Sequence, residues 1–242
     1  MDTIVPDGGP LYLRVKDTII RRIVDEIWRP GDLLPSEHKL AAEFGVSPGT
    51  VRKALSELTA ENLLYRQQGK GTFVTSHTPQ RSLFHFFKMT AASGKRQPAT
   101  SRLLACARRR ANRKEAGRLD LAAQSRVVEI NRIRELGGTP QILERILVPA
   151  KLFPNLGKPS AGELPNELYV LYEERYGITI YRANENLRAI AATAEQAKLL
   201  GLKAGAPLLE IDRTALTLDG RPVEWRVSLC DTRNCHYVSE LI

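Results

Sequence analysis

Three cysteines in 242 residues, Cys106, Cys230 and Cys235, are too few and too scattered for a disulfide framework. A reducing cytoplasm is the compartment this implies. Cys230, Cys235 and His236 match no common zinc spacing, so no metal site is expected. Histidine is sparse as well, at positions 38, 77, 85 and 236. No nucleophile–base pair stands out, so no catalytic residue is assigned and no cofactor is called for. No apolar run approaches the ~18 residues a membrane span needs, and the acidic N-terminus does not read as a signal peptide.

Acidic residues are missing from one place in particular. Residues 76–115 hold ten Lys/Arg and one carboxylate, Glu115, whereas residues 1–75 hold 10 and 10 and residues 116–242 hold 16 and 16. The net charge of +9 therefore lies entirely in 76–115, concentrated in 102-RLLACARRRANRK-114. Arg108, Arg109, Arg110, Arg113 and Lys114 have two readings, a clamp on a phosphate backbone or a solvated helix face. A chain of this length has room for two ordinary domains, and 43% hydrophobic residues suffice for packed cores.

The N-terminal region is patterned as helices. Apolar residues recur at 11, 15, 19, 23 and 27, one face of an amphipathic helix over Leu11 to Trp28 that Pro30-Gly31 would end. Ser36 reads as the N-cap of a short helix with Glu37 in its first turn and Leu40, Ala41 and Phe44 inward. Gly45 breaks it. Ser47 caps the next helix, and Pro48 takes the first helical position, where its missing N–H costs nothing. At ~100° per residue Val51, Ala54, Leu55 and Leu58 share one face, while Gly49, Arg52, Lys53 and Ser56 point the other way. That is a helix–turn–helix whose outward face carries phosphate- and base-reading side chains. A hairpin follows, from Leu64-Tyr65-Arg66 through Gly69-Lys70-Gly71 to Thr72-Phe73-Val74.

Residues 34-LPSEHKLAAEFGVSPGTVRKALSELTAENLLYRQQGKGTFV-74 resemble the winged-helix DNA-binding domain of GntR-family bacterial regulators. The resemblance implies that the start of the Ser47-capped helix enters the major groove and the Gly69 wing tip the minor groove. Ser47, Gly49, Thr50, Arg52, Gln68, Gly69 and Lys70 occupy contact positions of that pattern. Ser36 and Lys53 complete the candidate DNA-binding set. His38 and Pro48 stand where many members carry arginine, so operator preference does not carry over. The expected partner is double-stranded DNA, read as an inverted-repeat operator by a homodimer, because one recognition helix reads too few base pairs for useful specificity.

The remaining ~160 residues contain an internal repeat. Shifted by 81 positions, 119-LDLAAQSRVVEINR-132 lies over 200-LGLKAGAPLLEIDR-213. Each copy is preceded by an Ala-rich helical segment, around 111–118 and 192–199. Each runs into a turn, Gly137-Gly138 or Asp219-Gly220, and a returning strand. Two helix–hairpin halves building one mixed antiparallel sheet, with a helix over 166–177 between them, make an α+β domain. Its motifs LERILVP (143–149), LYEERYG (171–177) and DGRPVEWRVSL (219–229), in this order, resemble the UTRA effector domain of the HutC-like subfamily, which shares the chorismate lyase fold. The expected organisation is a DNA-binding domain at 11–75, a linker at 76–82 and an effector domain at 83–242.

The repeat also separates scaffold from site. Glu129/Glu210 and Arg132/Arg213 occur in both copies, which favours shared architecture. Beyond the turns, one register step apart, Glu144 aligns with Arg226 and Glu224 with Ile142, while Arg134 faces Ala215. Glu144 shares a strand face with Ile142, Ile146 and Val148, and a carboxylate there needs a partner. Arg132 and Arg134 share a face with Val128 and Ile130. The UTRA resemblance implies that the two arginines hold an anionic group of the effector while Glu144 and Glu224 hold its polar end. For Arg132 an internal salt bridge is the competing reading. Glu167 stands where a phosphate-binding hydroxyl is common, and Cys230 where a tyrosine often covers the ligand. A small anionic metabolite of carboxylate or amino-acid type is therefore expected over a phosphosugar. Two rival functions remain. A lyase-like enzyme on the same fold needs a nucleophile–base pair or metal cluster, and an effector-independent architectural DNA-binding protein needs a basic helix–turn–helix.

Overall fold

The computed structural model describes residues 10–76, 88–91, 99–156 and 164–239. The chain divides into two compact units, Met1–His77 and Thr78–Ile242. All but the first residue of the expected 76–82 linker lies outside the described residues.

The first unit holds α1 (Leu11–Val24), α2 (Glu37–Phe44), α3 (Pro48–Ala60) and a hairpin of β1 (Leu64–Gln67) and β2 (Gly71–Val74). Val15, Ile19, Leu40, Phe44, Val51, Ala54 and Leu58 are buried together as the apolar spacing requires. Full burial of such a Val, Leu, Ile or Phe contributes about 1.5–3 kcal/mol. The Ser36 side chain accepts from the Lys39 N–H and that of Ser47 from the Thr50 N–H, while Gly45 ends α2 in the left-handed region at φ 68°. α1 stops earlier than its apolar period. Asp25 caps it, Glu26 turns left-handed at φ 56°, and Ile27 emerges 61% exposed. The turn brings in Trp28 instead, which packs under the Arg22 guanidinium, 5.1 Å from the ring centroid.

The second unit is built on a six-stranded sheet of order β4-β5-β6-β9-β8-β7, and every strand pairing among the described residues is antiparallel, not mixed. Its strands are β4 (Thr100–Arg110), β5 (Arg126–Leu136), β6 (Thr139–Pro149), β7 (Arg182–Ala191), β8 (Pro207–Leu216) and β9 (Pro222–Cys230). A small ladder pairs β3 (Met89–Ala91) with β10 (Cys235–Tyr237). The helices are α4 (Arg113–Arg118), α5 (Leu168–Tyr176) and α6 (Ala194–Leu200). Both edge strands, β4 and β7, escaped the sequence patterning, because their burial is partial and irregular. Arg108–Arg110 therefore lie on a strand, and the helix-face reading of that cluster is corrected; only Arg113 and Lys114 are helical.

The repeat is visible in the ladders. α4 and α6 each open with a capping box, Asn112/Glu115 and Thr193/Gln196, at the same 81-residue shift. Arg132 faces Glu144 across β5–β6 as Arg213 faces Arg226 across β8–β9. The halves meet at the β6–β9 ladder, where Arg145 lies opposite its own equivalent, Val227, so an approximate twofold axis passes there. One sheet face packs on α4 through Leu119, Val127, Leu147 and Trp225, and on α6 through Ile133, Ala197, Leu200 and Leu208. The other face packs Ile130, Ile146 and Val148 against Phe153, Tyr169 and Tyr172.

Buried Glu115 ties α4 to the sheet. Its carboxylate accepts from Arg109 at 2.7 and 2.8 Å, from Arg145 at 2.6 Å and from the Asn112 N–H at 2.9 Å. The Arg109 hydrogen bonds, offset by burial, lower its pKa from the ordinary 4.5 to about 2. A depressed carboxylate stabilises above the unfolded pKa and loses that contribution as pH falls through the folded one. The denaturation midpoint should hold from pH 7 to 5 and fall between about 4.5 and 2. Glu115→Gln should lower the neutral midpoint and flatten that fall; a wild-type midpoint unchanged down to pH 2 would contradict the assignment.

Candidate functional site

The outward face of α3 gathers most of the candidate DNA-binding residues. Ser47, Gly49, Arg52 and Lys53 are exposed, and Thr50 is half-buried where its hydroxyl lies 2.9 Å from that of Ser47. The hairpin tip presents Gln68, Gly69 and Lys70, all exposed, with Gly69 left-handed at φ 73°. Gly71 seats the hairpin: at φ 124°, a Cβ there would lie 2.6 Å from Leu33 Cδ1. Ser36 is occupied as a helix cap, and Lys53 Nζ stands 3.8 Å over the Tyr12 ring. Glu37 is a hub, which its first-turn position in α2 does not by itself reveal. Its carboxylate accepts from Arg52 Nε at 2.8 Å and lies 3.5 Å from Arg66 Nη2, joining α2, α3 and β1. Arg52 keeps a 61% exposed side chain, so it is steered and remains reachable.

On the second unit, the sheet face shared with α5 opens into a cavity whose space, with the open solvent at its mouth, is about 630 Å³. Arg132, Arg134, Ile142 and Glu144 come from β5 and β6, and Ile211, Arg213, Arg226, Ser228 and Cys230 from β8 and β9. Asn166, Glu167, Leu168 and Tyr169 form one wall, and Lys88, Met89 and Tyr237 another. Arg132, Arg134 and Glu144 are thus brought together as expected. Glu224 is not: it is fully buried behind the lining, gripped by Arg226 at 2.9 and 3.0 Å and by the hydroxyls of Tyr169 (3.0 Å) and Tyr172 (2.9 Å). It orients Arg226 and Tyr169.

Glu144 accepts from Arg132 Nε at 2.6 Å, Arg226 Nη1 at 3.2 Å and Ser228 Oγ at 3.4 Å. Burial alone would raise its pKa, but Arg132, Arg226 and Arg134 outweigh burial and hold it well below the usual carboxylate range. Arg213 is held by Glu185 at 2.6 Å, which also accepts from the Tyr237 hydroxyl. Burial pulls Arg134 down to about 10, and its Nη2 donates to the Ala99 carbonyl at 3.3 Å. Arg132 donates through Nη1 to Asn166 O at 3.1 Å, yet its buried Nη2 has no hydrogen-bond partner among the described residues. Counted together, Lys88, Arg132, Arg134, Arg213 and Arg226 face Glu144, Glu167, Glu185 and Glu224, which leaves one positive charge. A buried donor is costly without a partner. Cys230 lines the cavity with its thiol pushed well above its ordinary value by burial, which makes it a packing group and not a nucleophile.

By its place in the repeat Arg213 belongs to the scaffold, and no sequence feature points to Lys88, Asn166 or Tyr237. Arg226 had one cue, the reversal of charge against its repeat partner Glu144. Lys88 and Tyr237 had none, because they reach the cavity through the β3–β10 ladder, which joins segments distant in sequence.

Comparison with known proteins agrees with the two-unit fold. The family model described as "Bacterial regulatory proteins, gntR family" matches residues 11–74, and that of the UTRA domain matches residues 94–234. The chain is 32% identical to the HTH-type transcriptional repressor NagR of Bacillus subtilis over 216 residues, 89% of this chain and 88% of that one. It is 31% identical over 207 residues to the histidine utilization repressor of Klebsiella aerogenes, covering 85% and 84%. The ligand-binding domain of a protein described as a GntR-family regulator from Bordetella bronchiseptica superposes with a TM-score of 0.60 at 34% identity, over 66% of this chain and 99% of that one. These relatives are named regulators, not enzymes. The chain belongs to the GntR family, a DNA-binding transcriptional regulator that carries a UTRA effector-binding domain.

Proposed function

We propose that the protein is a cytoplasmic, homodimeric repressor that reads an inverted-repeat operator and releases it when a small anion fills the second unit's cavity. Residues 11–75 would read DNA, 83–242 would sense, and 76–82 would transmit. The observation that carries the anion is the combination of a buried, unmatched Arg132 Nη2 with a net positive charge in the cavity cluster. An arginine fork pairs with a carboxylate through two parallel bonds, which strengthen in a partly dry site. Arg132 and Arg134 would bind the anion, Glu144 would fix Arg132, and Glu224 would act through Arg226. Glu167 on the wall disfavours a doubly charged phosphate. By linkage, the effector and the operator weaken each other's binding by the same factor.

For DNA, Ser47, Gly49, Thr50, Arg52 and the tip at Gln68, Gly69 and Lys70 are the proposed contacts. With Pro48 in the first turn and Lys53 drawn toward Tyr12, Arg52 is the long side chain best placed to reach a base edge. Arg52→Ala should weaken operator binding by about 1–3 kcal/mol at fixed salt. A gel shift unchanged by that substitution would remove Arg52 from the interface.

For the effector, a thermal-shift screen of carboxylates, amino acids and phosphosugars should yield a carboxylate that raises Tm for the wild type. The rise should be lost in both Arg132→Ala and Arg134→Ala. A compound that stabilises all three proteins equally, or a phosphosugar that outperforms every carboxylate, would contradict the assignment.

A further inference from the structure

The cluster of basic side chains that the effector cavity does not use lies at the β4 edge. Arg108 and Arg110 alternate along β4 and so project from one side of it. Arg110 stands in register opposite Arg126, the first residue of β5. The Ala150 N–H donates to the Arg126 carbonyl, which sets Lys151 beside them. All four side chains are exposed. Like charges placed directly opposite each other on a ladder are destabilising, yet no carboxylate among the described residues pairs with any of these four. In the same unit Arg109, Arg118, Arg145, Arg188 and Arg226 each hold a carboxylate, while exposed Arg113 and Lys114 nearby in sequence add further basic charge.

We infer that this face is a DNA-contact surface in its own right, gripping backbone phosphates without sequence preference. Bare charges on an edge strand also discourage pairing with other chains. That role does not call for Arg126, which sits on the inner strand β5. The recognition unit is electrically neutral, with 10 Lys/Arg against 10 Asp/Glu over residues 1–75. It therefore lacks the general attraction that supplies most non-specific affinity for DNA. Alternate strand residues stand about 6.6 Å apart, a spacing that lets Arg108 and Arg110 meet successive phosphates of one DNA strand. The inference rests on the DNA-binding reading but not on the identity of the effector.

The test is a salt titration of the full chain on a mixed-sequence duplex of about 60 base pairs, from about 50 to 200 mM KCl. The variant Arg108→Gln/Arg110→Gln/Arg126→Gln should give a log Kd against log salt slope shallower by about 2–3, at about 0.9 for each phosphate no longer neutralised. The matching triple Arg→Lys variant keeps the charges and should retain the wild-type slope. Arg52→Ala should change that slope by no more than about one. If the Gln variant melts like the wild type and keeps its slope, the face carries surface charge only and the proposal falls. It falls equally if the Lys variant loses as much slope as the Gln variant. Loss of binding in Arg52→Ala beside an unchanged slope in the Gln variant would overturn this proposal alone.

Discussion

The ion pair between Glu144 and Arg226 lies where the two halves of the sensing unit meet, and the rest of the cavity is arranged around it. The two residues occupy equivalent positions in the repeat, on either side of the approximate twofold axis, with Glu144 Oε1 3.2 Å from Arg226 Nη1. Had the repeat kept one charge at both positions, two like charges would face each other in a desolvated interior. Reversing one turns the clash into a bond, and the bond is then extended outward on both sides. Arg132 completes Glu144 on one side, and Glu224 completes Arg226 on the other. A buried pair of this kind is weak evidence for stability and breaks expensively when one partner is removed. Its value here is geometric: it fixes Arg132 and Arg226 before any ligand arrives. Arg134, Arg213 and Lys88 add three positive charges, and Glu185 and Glu167 two negative ones, so the cluster around the cavity keeps one positive charge.

The DNA-reading unit uses the same device at its surface. Glu37 holds Arg52 from α3 and lies within reach of Arg66 from β1, so helix–turn–helix and wing are tied by one carboxylate. In bulk solvent such a pair contributes little to stability. It restricts where the Arg52 guanidinium can be, and that pre-positioning matters when the guanidinium must meet a base edge in a defined plane. In both units, then, a glutamate limits the freedom of an arginine whose proposed target is an anion or a base.

Much of this was legible in the sequence because it depends on local spacing. The caps at Ser36 and Ser47, the left-handed Gly45 and the buried face of Val51, Ala54, Leu55 and Leu58 follow from period and cap chemistry alone. The 81-residue repeat marked two equivalent hairpins, and the structure sets Arg132 opposite Glu144 within the first of them. What escaped was set by tertiary pairing. β4 and β7 are edge strands with no clean alternation, so the arginine run at 108–110 looked helical. The end of α1 at Val24 was hidden because the apolar period runs on to Ile27 while the chain turns to bury Trp28. Glu224 reads as a ligand group from its unmatched place in the repeat, but Tyr169 and Tyr172, which occupy it, lie more than fifty positions away on α5.

At the centre of the proposed sensing mechanism, a ligand anion completes a cluster left with one positive charge and an unmatched Arg132 Nη2. The most direct measurement is a crystal structure of the full chain with a stabilising monocarboxylate bound. The expected result is a carboxylate oxygen within hydrogen-bond distance of Arg132 Nη2, with Arg134 alongside and the Glu144 bonds to Arg132 and Arg226 intact. A ligand whose carboxylate lies against Glu167, or one that displaces Glu144 from Arg132, would contradict it.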